Sequence, residues 1–459
     1  MNRTLLRGAL CAALAWLAAP VARAAPASGR PAPGLAAFDT AMSNYVDTSG
    51  ARSAVLGVMR NAQVVYLRGF GKLTTGGADL PETALFRVAS LSKGPTAAAI
   101  RMMAGDGTFG PLGLDRKAFN LTVAGNNNGG LLSLTPFPSL ASNNYANITI
   151  RHLLDQTSGF TGTDAIFRDA SRTIATDMSL GRPPTHTERI RWRLGKPQGS
   201  TIGTFNYENF NYLVLGHIID TLGGGYLNFI RTRVLTPEAW TPAADVQLGR
   251  TLEADRLARE ASYPSSGNGT SVFDYSAPVS DQLPLAYGGE YDMDALLGAG
   301  SLVLSAPAML RFASRFRLWY PNAGLPYTGN GDGAIHDGGL HGVGTRLTAR
   351  GDGLVIFVAT AGGNVGTAYD AVNAAITAGG LTWPTVSADG YWTTLPGGNA
   401  AAGFGGYHAP WEGFAATLGK SGPGGRLRLK AGTGNFTGRI TSKLYLDAPL
   451  GSARLGVTP

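Results

Sequence analysis

Cysteine is nearly absent: Cys11 is the only one in 459 residues. It lies in an apolar run, Gly8 to Ala19, that follows Arg3 and Arg7 and leads to Ala22-Arg23-Ala24. That order is the charged region, apolar region and A-x-A site of a cleavable signal peptide, expected over residues 1–24. No small-residue pattern leads into Cys11, so lipid attachment there is not expected. A chain without these residues holds no thiol, which excludes disulfides, a cysteine nucleophile and thiolate metal ligands. Long apolar runs are also missing. Beyond residue 24 no stretch approaches the ~18 residues of a membrane span, so stable membrane insertion is not expected. Charge is sparse, at 15% of residues against the usual ~25%. The formal net charge is +8, falling to +5 with the loss of three Arg and no acid from residues 1–24. The basic residues are scattered and form no stripe, which argues against a nucleic-acid partner. Six histidines show no metal-ligand spacing, and the Gly-rich stretches lack the lysine and strand context of a P-loop. Neither metal nor cofactor is expected, no tandem repeat of fixed period occurs, and no oligomeric interface is legible.

Apolar residues make up 44% of the chain and glycines number 65, the mark of a globular, loop-rich protein. Pro- and Ala-rich residues 25–34 read as a linker. Leu35 to Val46 carries apolar residues at helical spacing, and Ser53–Met59 and Ala62–Phe70 read as hairpin strands around Asn61. A helix is predicted from Ser90 to Met103. Residues 118–147, rich in Asn, Gly and Ser, read as a long loop, of a length uncommon unless functional or disordered. Further helices are predicted at Ile150–Leu154, Tyr212–Thr221 and Tyr369–Ile376, with a strand at Leu354–Ala359. After Gly380, alternating runs such as Arg426 to Lys430 and Lys443 to Leu446 predict a β-rich extension over residues 381–459.

Seven lysines occur, and only Lys93 has a serine three residues before it. Positions i and i+3 share a helix face, so the Ser90 hydroxyl and the Lys93 amine can meet. A serine needs a neighbouring base to become a nucleophile, and a helix start places backbone N–H groups where an oxyanion is stabilised. S-x-x-K alone is also what an N-cap serine on a surface helix looks like. Y-x-N triplets recur along the chain. Tyr145-Ala146-Asn147 lies in the polar loop, Tyr320-Pro321-Asn322 contains a turn-forming proline, and Tyr207-Glu208-Asn209 leads into the long apolar helical run Tyr212 to Thr221. The Tyr207 phenol could carry a proton between nucleophile and leaving group, and the Asn209 amide could bond both Lys93 and a substrate carbonyl. His336-Asp337-Gly338 is the single H-x-G.

In this order the segments Leu85 to Lys93, Ile150 to Gly159, Phe205 to Asn209 and Gly298 to Leu302 resemble the signatures of the serine β-lactamase and penicillin-binding protein superfamily. They are closest to its class C-like branch of esterases, D-aminopeptidases and DD-peptidases. Gln156 stands where that branch commonly has His, and Gly298 to Leu302 resembles its glycine turn before a helix. The likeness spans roughly residues 35–378, so one domain is expected over 35–380. It implies an α/β (α+β) sandwich, a mainly antiparallel sheet from both chain ends flanked by helices, with the Tyr207 region inserted. It implies catalysis by Ser90, Lys93 and Tyr207, with Asn209, His336, Gly338 and Gly339 lining the site and the N–H groups of Ser90 and Gly339 forming the oxyanion hole. His336 stands where the superfamily often has the Lys of K-T-G; Lys430-Ala431-Gly432 falls beyond the domain.

The expected protein is a secreted or periplasmic serine hydrolase acting through a Ser90 acyl-enzyme on a small ester, amide or peptide. A β-lactamase or DD-carboxypeptidase, and an inactive cell-envelope binding protein, are the alternatives. One expectation rests on charge. An Asp337 carboxylate directed at the site would repel anionic β-lactams and favour neutral esters or substrates with a free amine. Successive strand residues face opposite sides, so Asp337 could instead turn away and bond a neighbour.

Overall fold

The computed structural model describes residues 25–29, 31–32, 34–60, 63–168, 170–235, 243–276, 278–326 and 334–383, and short strands beyond residue 389. The expected signal peptide lies outside the described residues. The elements that build the site are, in chain order, β1 (Ala27–Ser28), α1 (Ala36–Ser49), β2 (Ser53–Arg60), β3 (Gln63–Gly71), β4 (Leu85–Arg87) and α2 (Lys93–Gly105). They continue with α3 (Asn209–Leu222), β5 (Val246–Leu248), β6 (Leu302–Ser305), α4 (Ala306–Arg315), β7 (Ile335–Leu340), β8 (Val343–Ala349), β9 (Leu354–Ala361) and α5 (Val365–Thr377).

β1, β2, β3, β7, β8 and β9 form one antiparallel sheet in the order β1-β3-β2-β9-β8-β7. The two ends of the chain meet at its centre, where Val58 of β2 lies opposite Ile356 of β9. Alternation then sends side chains to two cores. Leu56, Val58, Ile356 and Val358 pack with Phe38 and Met42 of α1 and Val372 of α5. Val55, Met59, Phe357 and Ala359 pack with Leu310 of α4 and the helical region beyond. Both faces are therefore covered, which is why Leu354 to Ala359 of β9 read as one unbroken apolar run. Each fully buried Val, Leu, Ile or Phe contributes about 1.5–3 kcal/mol. α4 sits tightly on the sheet: a Cβ at Gly57 would lie 2.8 Å from Leu310 Cδ1.

The α/β sandwich expected from the motifs is thus the fold observed, with differences in detail. Part of the 25–34 stretch joins the sheet, as Ala27 and Ser28 pair with Phe70 and Gly69. The glycine turn at 298–300 leads first into strand β6, which lies between β4 and β5 in a second small sheet, and only then into α4. The 118–147 loop is pinned by side chains. Asn128 donates to the carbonyls of Phe119 and Ala146, both at 2.9 Å, and accepts from the Leu121 N–H at 2.9 Å. The amide thereby replaces a backbone ladder, and Phe119, Leu121, Leu132 and Tyr145 are buried. Beyond residue 389 the described strands form a parallel four-stranded sheet and a parallel pair. Among the described residues no single helix is long and apolar enough to cross a membrane.

Candidate active site

Ser90 sits in a 3₁₀ turn, Ala89–Ser92, that runs into α2. The turn is anchored on both sides. Val88 N–H donates to the Leu302 carbonyl (3.0 Å), and Leu302 N–H donates to Ser92 Oγ (3.2 Å). Just before it, Arg87 is buried and pairs with Glu260 at 3.1 Å. Its other nitrogens donate to the Ala286 and Arg250 carbonyls, so the buried charge is fully bonded. Ala89 holds φ +49°, a left-handed conformation that an alanine adopts only when the surroundings impose it. Pro95 falls in the first turn of α2, where its missing N–H costs nothing.

Lys93 is fully buried. Its Nζ lies 3.0 Å from Ser90 Oγ, 2.6 Å from Asn209 Oδ1 and 2.8 Å from the Ala299 carbonyl. The last two are acceptors only, so they take N–H bonds. In the amine form the remaining lone pair then faces the Ser90 hydroxyl. Ser90 Oγ has a second neighbour, Tyr207 OH at 2.7 Å, and Lys93 Nζ stands 4.9 Å from the Tyr207 ring centre. The serine proton thus has two routes, and the half-exposed phenol connects one of them to solvent.

Tyr207 is placed by the loop before α3. The buried Glu208 carboxylate accepts from the N–H groups of Gly162 (2.7 Å) and Thr163 (3.1 Å) and from Asn206 Nδ2 (3.0 Å). Glu208 N–H donates to Gln156 Oε1 (3.1 Å), which also accepts from Asn211 Nδ2 (2.6 Å). The Ala299 carbonyl reaches Lys93 because two glycines meet. A Cβ at Gly298 would lie 2.6 Å from the Tyr212 carbonyl and 3.0 Å from the Gly216 Cα of α3.

His336 lies on β7, the open edge of the large sheet. It is buried and stacks on Trp319, with centroids 4.2 Å apart. Burial, with a smaller contribution from the Lys93 charge, holds its pKa down at about 3, so the ring is neutral near pH 7. Gly338 presses against the Ser90 turn: a Cβ there would lie 2.3 Å from the Val88 carbonyl and 2.5 Å from Thr345 Oγ1. A Cβ at Gly339 would meet nothing within 4 Å, and a cavity of about 510 Å³ opens beside both glycines.

The structure therefore brings Ser90, Lys93, Tyr207 and Asn209 into one hydrogen-bonded cluster and sets Gly338 against the Ser90 turn. His336 reaches the cluster through Trp319, whose ring lies 5.7 Å from that of Tyr207. One expectation is corrected. Asp337 does not point a charge at the site: it turns away and is held bidentately by Arg346, its cross-strand neighbour, at 2.7 and 2.6 Å. Asn209 accepts from Lys93 as expected, and its Nδ2 also donates to Asp164 Oδ1 at 2.8 Å, with its second N–H left for a substrate carbonyl. Four participants escaped the sequence reading: Ala299, Asp164, Trp319 and Glu208. Trp319 adjoins the Tyr320-Pro321-Asn322 triplet read as a turn. That turn is part of the site's rim, where the exposed rings of Tyr320 and Phe205 meet at a tilt with centroids 4.8 Å apart.

A family model described as Beta-lactamase matches residues 38–427, beyond the end expected from the motifs. Among solved structures, D-amino acid amidase from Ochrobactrum anthropi SV3 in complex with D-phenylalanine aligns with a TM-score of 0.51. It shares 18% identity over 74% of this chain and 98% of its own. A D-stereospecific amidohydrolase from Streptomyces sp. aligns with a TM-score of 0.46 and 16% identity over 73% of this chain and 98% of its own. At such identities the likeness is one of fold.

Proposed function

This chain belongs to the beta-lactamase family and is a serine hydrolase, and from that premise we propose that it cleaves amide or ester bonds through an acyl-enzyme on Ser90. The observation that carries the reading is the position of Ser90 Oγ, 3.0 Å from Lys93 Nζ and 2.7 Å from Tyr207 OH. In the proposed reaction Ser90 Oγ attacks the substrate carbonyl carbon and its proton passes to Lys93 or Tyr207. The C–N or C–O bond breaks, and Tyr207, open to solvent, returns the proton to the leaving nitrogen or oxygen. Water then attacks the acyl ester, gives its proton back along the same path, and releases the carboxylic acid and Ser90. The turn N–H groups of Ser90 and, from β7, Gly339 would hold the oxyanion.

Amides are the favoured substrates. A fold shared with a D-amino acid amidase supports that choice. A β-lactamase or DD-carboxypeptidase is less well supported, since the neutral His336 supplies no charge for a substrate carboxylate. The reading includes export, from the signal-like residues 1–24: N-terminal sequencing of the exported protein is expected to begin near Ala25, and a start at Met1 would contradict it. The test of the chemistry is fluorophosphonate labelling followed by peptide mapping. Label is expected on Ser90 and to vanish in Ser90→Ala; label on another serine would overturn the mechanism.

A further inference from the structure

A polar cleft of about 840 Å³ takes no part in the Ser90 chemistry. It lies between residues 141–147, the end of the long Asn-rich loop, and residues 197–202. Both walls are fixed. The buried Tyr145 ties them together: its hydroxyl donates to the Lys196 carbonyl at 2.7 Å and accepts from Arg193 Nη1 at 2.6 Å. The Ser200 N–H donates to the Gly159 carbonyl at 3.0 Å. Two basic side chains line the cleft, Lys117 and His152, and they share one acceptor. Lys117 Nζ donates to the Asn147 carbonyl at 3.2 Å, and the His152 ring bonds the same carbonyl. Lys117 makes no ion pair among the described residues, whereas Lys72 pairs with Asp79 and Lys196 with Asp177. Burial and, after it, the Lys117 charge hold the His152 pKa below its ordinary value. No acid lines the cleft. The nearest ones are engaged elsewhere: Asp115 is bound by Arg151 at 2.8 and 3.1 Å, and Asp155 faces Arg101 and Arg151. The side chains of Asn144, Asn147, Ser200 and Thr201 also line the cleft, and they make no hydrogen bond among the described residues.

We infer that this cleft binds a small polyol carrying one oxyanion, a sugar acid or a polyol phosphate, with the oxyanion at Lys117 and the hydroxyls on the surrounding neutral side chains. An ammonium has three donors, and Lys117 spends one on the Asn147 carbonyl, so two remain for a ligand oxygen. With no acid in the lining, an oxyanion there meets attraction from Lys117 and no repulsion, and its bonds to the ammonium are charge-assisted. It would also offset the Lys117 charge that His152 senses. Amide and hydroxyl side chains both donate and accept, which matches ligand hydroxyls, whereas an apolar ligand would leave them unpaired. No Phe, Tyr or Trp lines the cleft, which argues against a flat apolar ligand, and the volume falls in the range of small-molecule sites. None of the lining residues bonds Ser90, Lys93, Tyr207 or Asn209 among the described residues, so the site stands apart from the proposed hydrolysis.

The experiment is titration calorimetry of the whole protein at low salt with glucuronate, glycerol phosphate, glucose and inorganic phosphate. At least one of the two polyol anions is expected to bind saturably, with Kd below about 1 mM. It should bind at least tenfold more tightly than inorganic phosphate, and glucose should give no measurable heat. Tight glucuronate identifies a carboxylate source, and tight glycerol phosphate a phosphate source. Lys117→Gln is expected to weaken the polyol anion at least tenfold, and Lys117→Arg to retain it. Asn144→Ala combined with Thr201→Val should weaken it severalfold and inorganic phosphate little. Ester hydrolysis is expected to be unchanged in these variants, which reports that each has folded. Protein labelled on Ser90 with a fluorophosphonate should bind as the unlabelled protein does. Absence of saturable binding by both polyol anions overturns the inference without needing any variant. Glucose binding as tightly as the anions overturns the role of charge, and inorganic phosphate binding as tightly overturns the role of the hydroxyls. Unchanged binding in a folded Lys117→Gln, or loss of binding on labelling Ser90, would put the ligand elsewhere and overturn the site.

Discussion

Ser90 and Ser92 stand two positions apart and face different surroundings. Ser90 Oγ touches Lys93 and Tyr207, while Ser92 is fully buried and its hydroxyl accepts from the Leu302 N–H. Ser90→Ala is expected to reduce acyl transfer by several orders of magnitude, as loss of a covalent nucleophile does. Ser92→Ala is expected to keep Ser90 reactive but to cost about 1–3 kcal/mol of stability, by orphaning a buried N–H. Burst kinetics on a p-nitrophenyl ester and urea denaturation measure the two effects, and an inactive, fully stable Ser92→Ala would reverse the assignment. His336 makes a prediction of another kind. Its folded pKa of about 3 lies below the ordinary 6.5, so between those values the unfolded chain holds a proton that the native chain lacks. Stability should therefore fall as pH drops from about 6.5 toward 3, by up to about 1.4 kcal/mol per pH unit from this residue. His152, His186 and His217, lowered chiefly by burial, act in the same direction. His336→Asn should show a shallower loss in urea midpoints between about pH 6.5 and 4.5; identical slopes would refute the assignment.

Among the elements, β7 carries a tight constraint at Gly338. Gly338→Ala places a methyl against the Val88 carbonyl, so strand or Ser90 turn must shift. A cost of about 1–3 kcal/mol is expected, with kcat lowered at least tenfold, while Gly339→Ala, opening onto free space, should leave the melting temperature unchanged. Comparing kcat and melting temperature in the two variants tests the contact, and equal tolerance would show that β7 does not brace Ser90. Which elements were legible in the sequence follows from the range of the signal. α1, β2 and α5 were read within a few residues because apolar period and a terminal glycine are local: α1 ends at Gly50, in the left-handed region. Ser90, Lys93, Tyr207 and Asn209 were legible because short motifs fix them. β6 was missed, since Leu302–Ser305 is only four residues long and its partners lie far away in sequence. Asp164 and Glu208 were missed because a single carboxylate has no period, and only the fold shows what faces it. The orientation of Asp337 was left open because its partner Arg346 is known only once the β7–β8 register is known.

At the scale of the whole molecule, Ser90 lies on the side of the sheet covered by α2 and α4, while α1 and α5 pack on the other. The start of the C-terminal segment joins that second side. Trp383 packs edge-on against Phe38 with centroids 6.0 Å apart, and Thr382 N–H donates to the Gly34 carbonyl (2.9 Å). A chain ending at residue 383 is therefore expected to retain esterase activity, whereas one ending at Gly380 should melt several degrees lower through loss of the Trp383 contact. Thermal denaturation and ester turnover of both truncations check this. A folded 1–383 chain without activity would show that later residues complete the site.

The pairing of β2 with β9 also sets a clock. Val55 has its partner, Ala359, some three hundred positions further along the chain. The neighbours of Ser90 are drawn from the same distances, with Tyr207, Ala299 and Gly338 each arriving from a separate stretch. During synthesis the serine emerges early, as an ordinary hydroxyl on an unfinished sheet. The Tyr207 phenol and the β7 strand that braces the turn follow much later, and the partner strand of β2 is complete only as translation reaches residue 361. A chain that stops before residue 361 is thus chemically silent, and the appearance of hydrolysis reports that synthesis has passed that point and the sheet has closed upon itself.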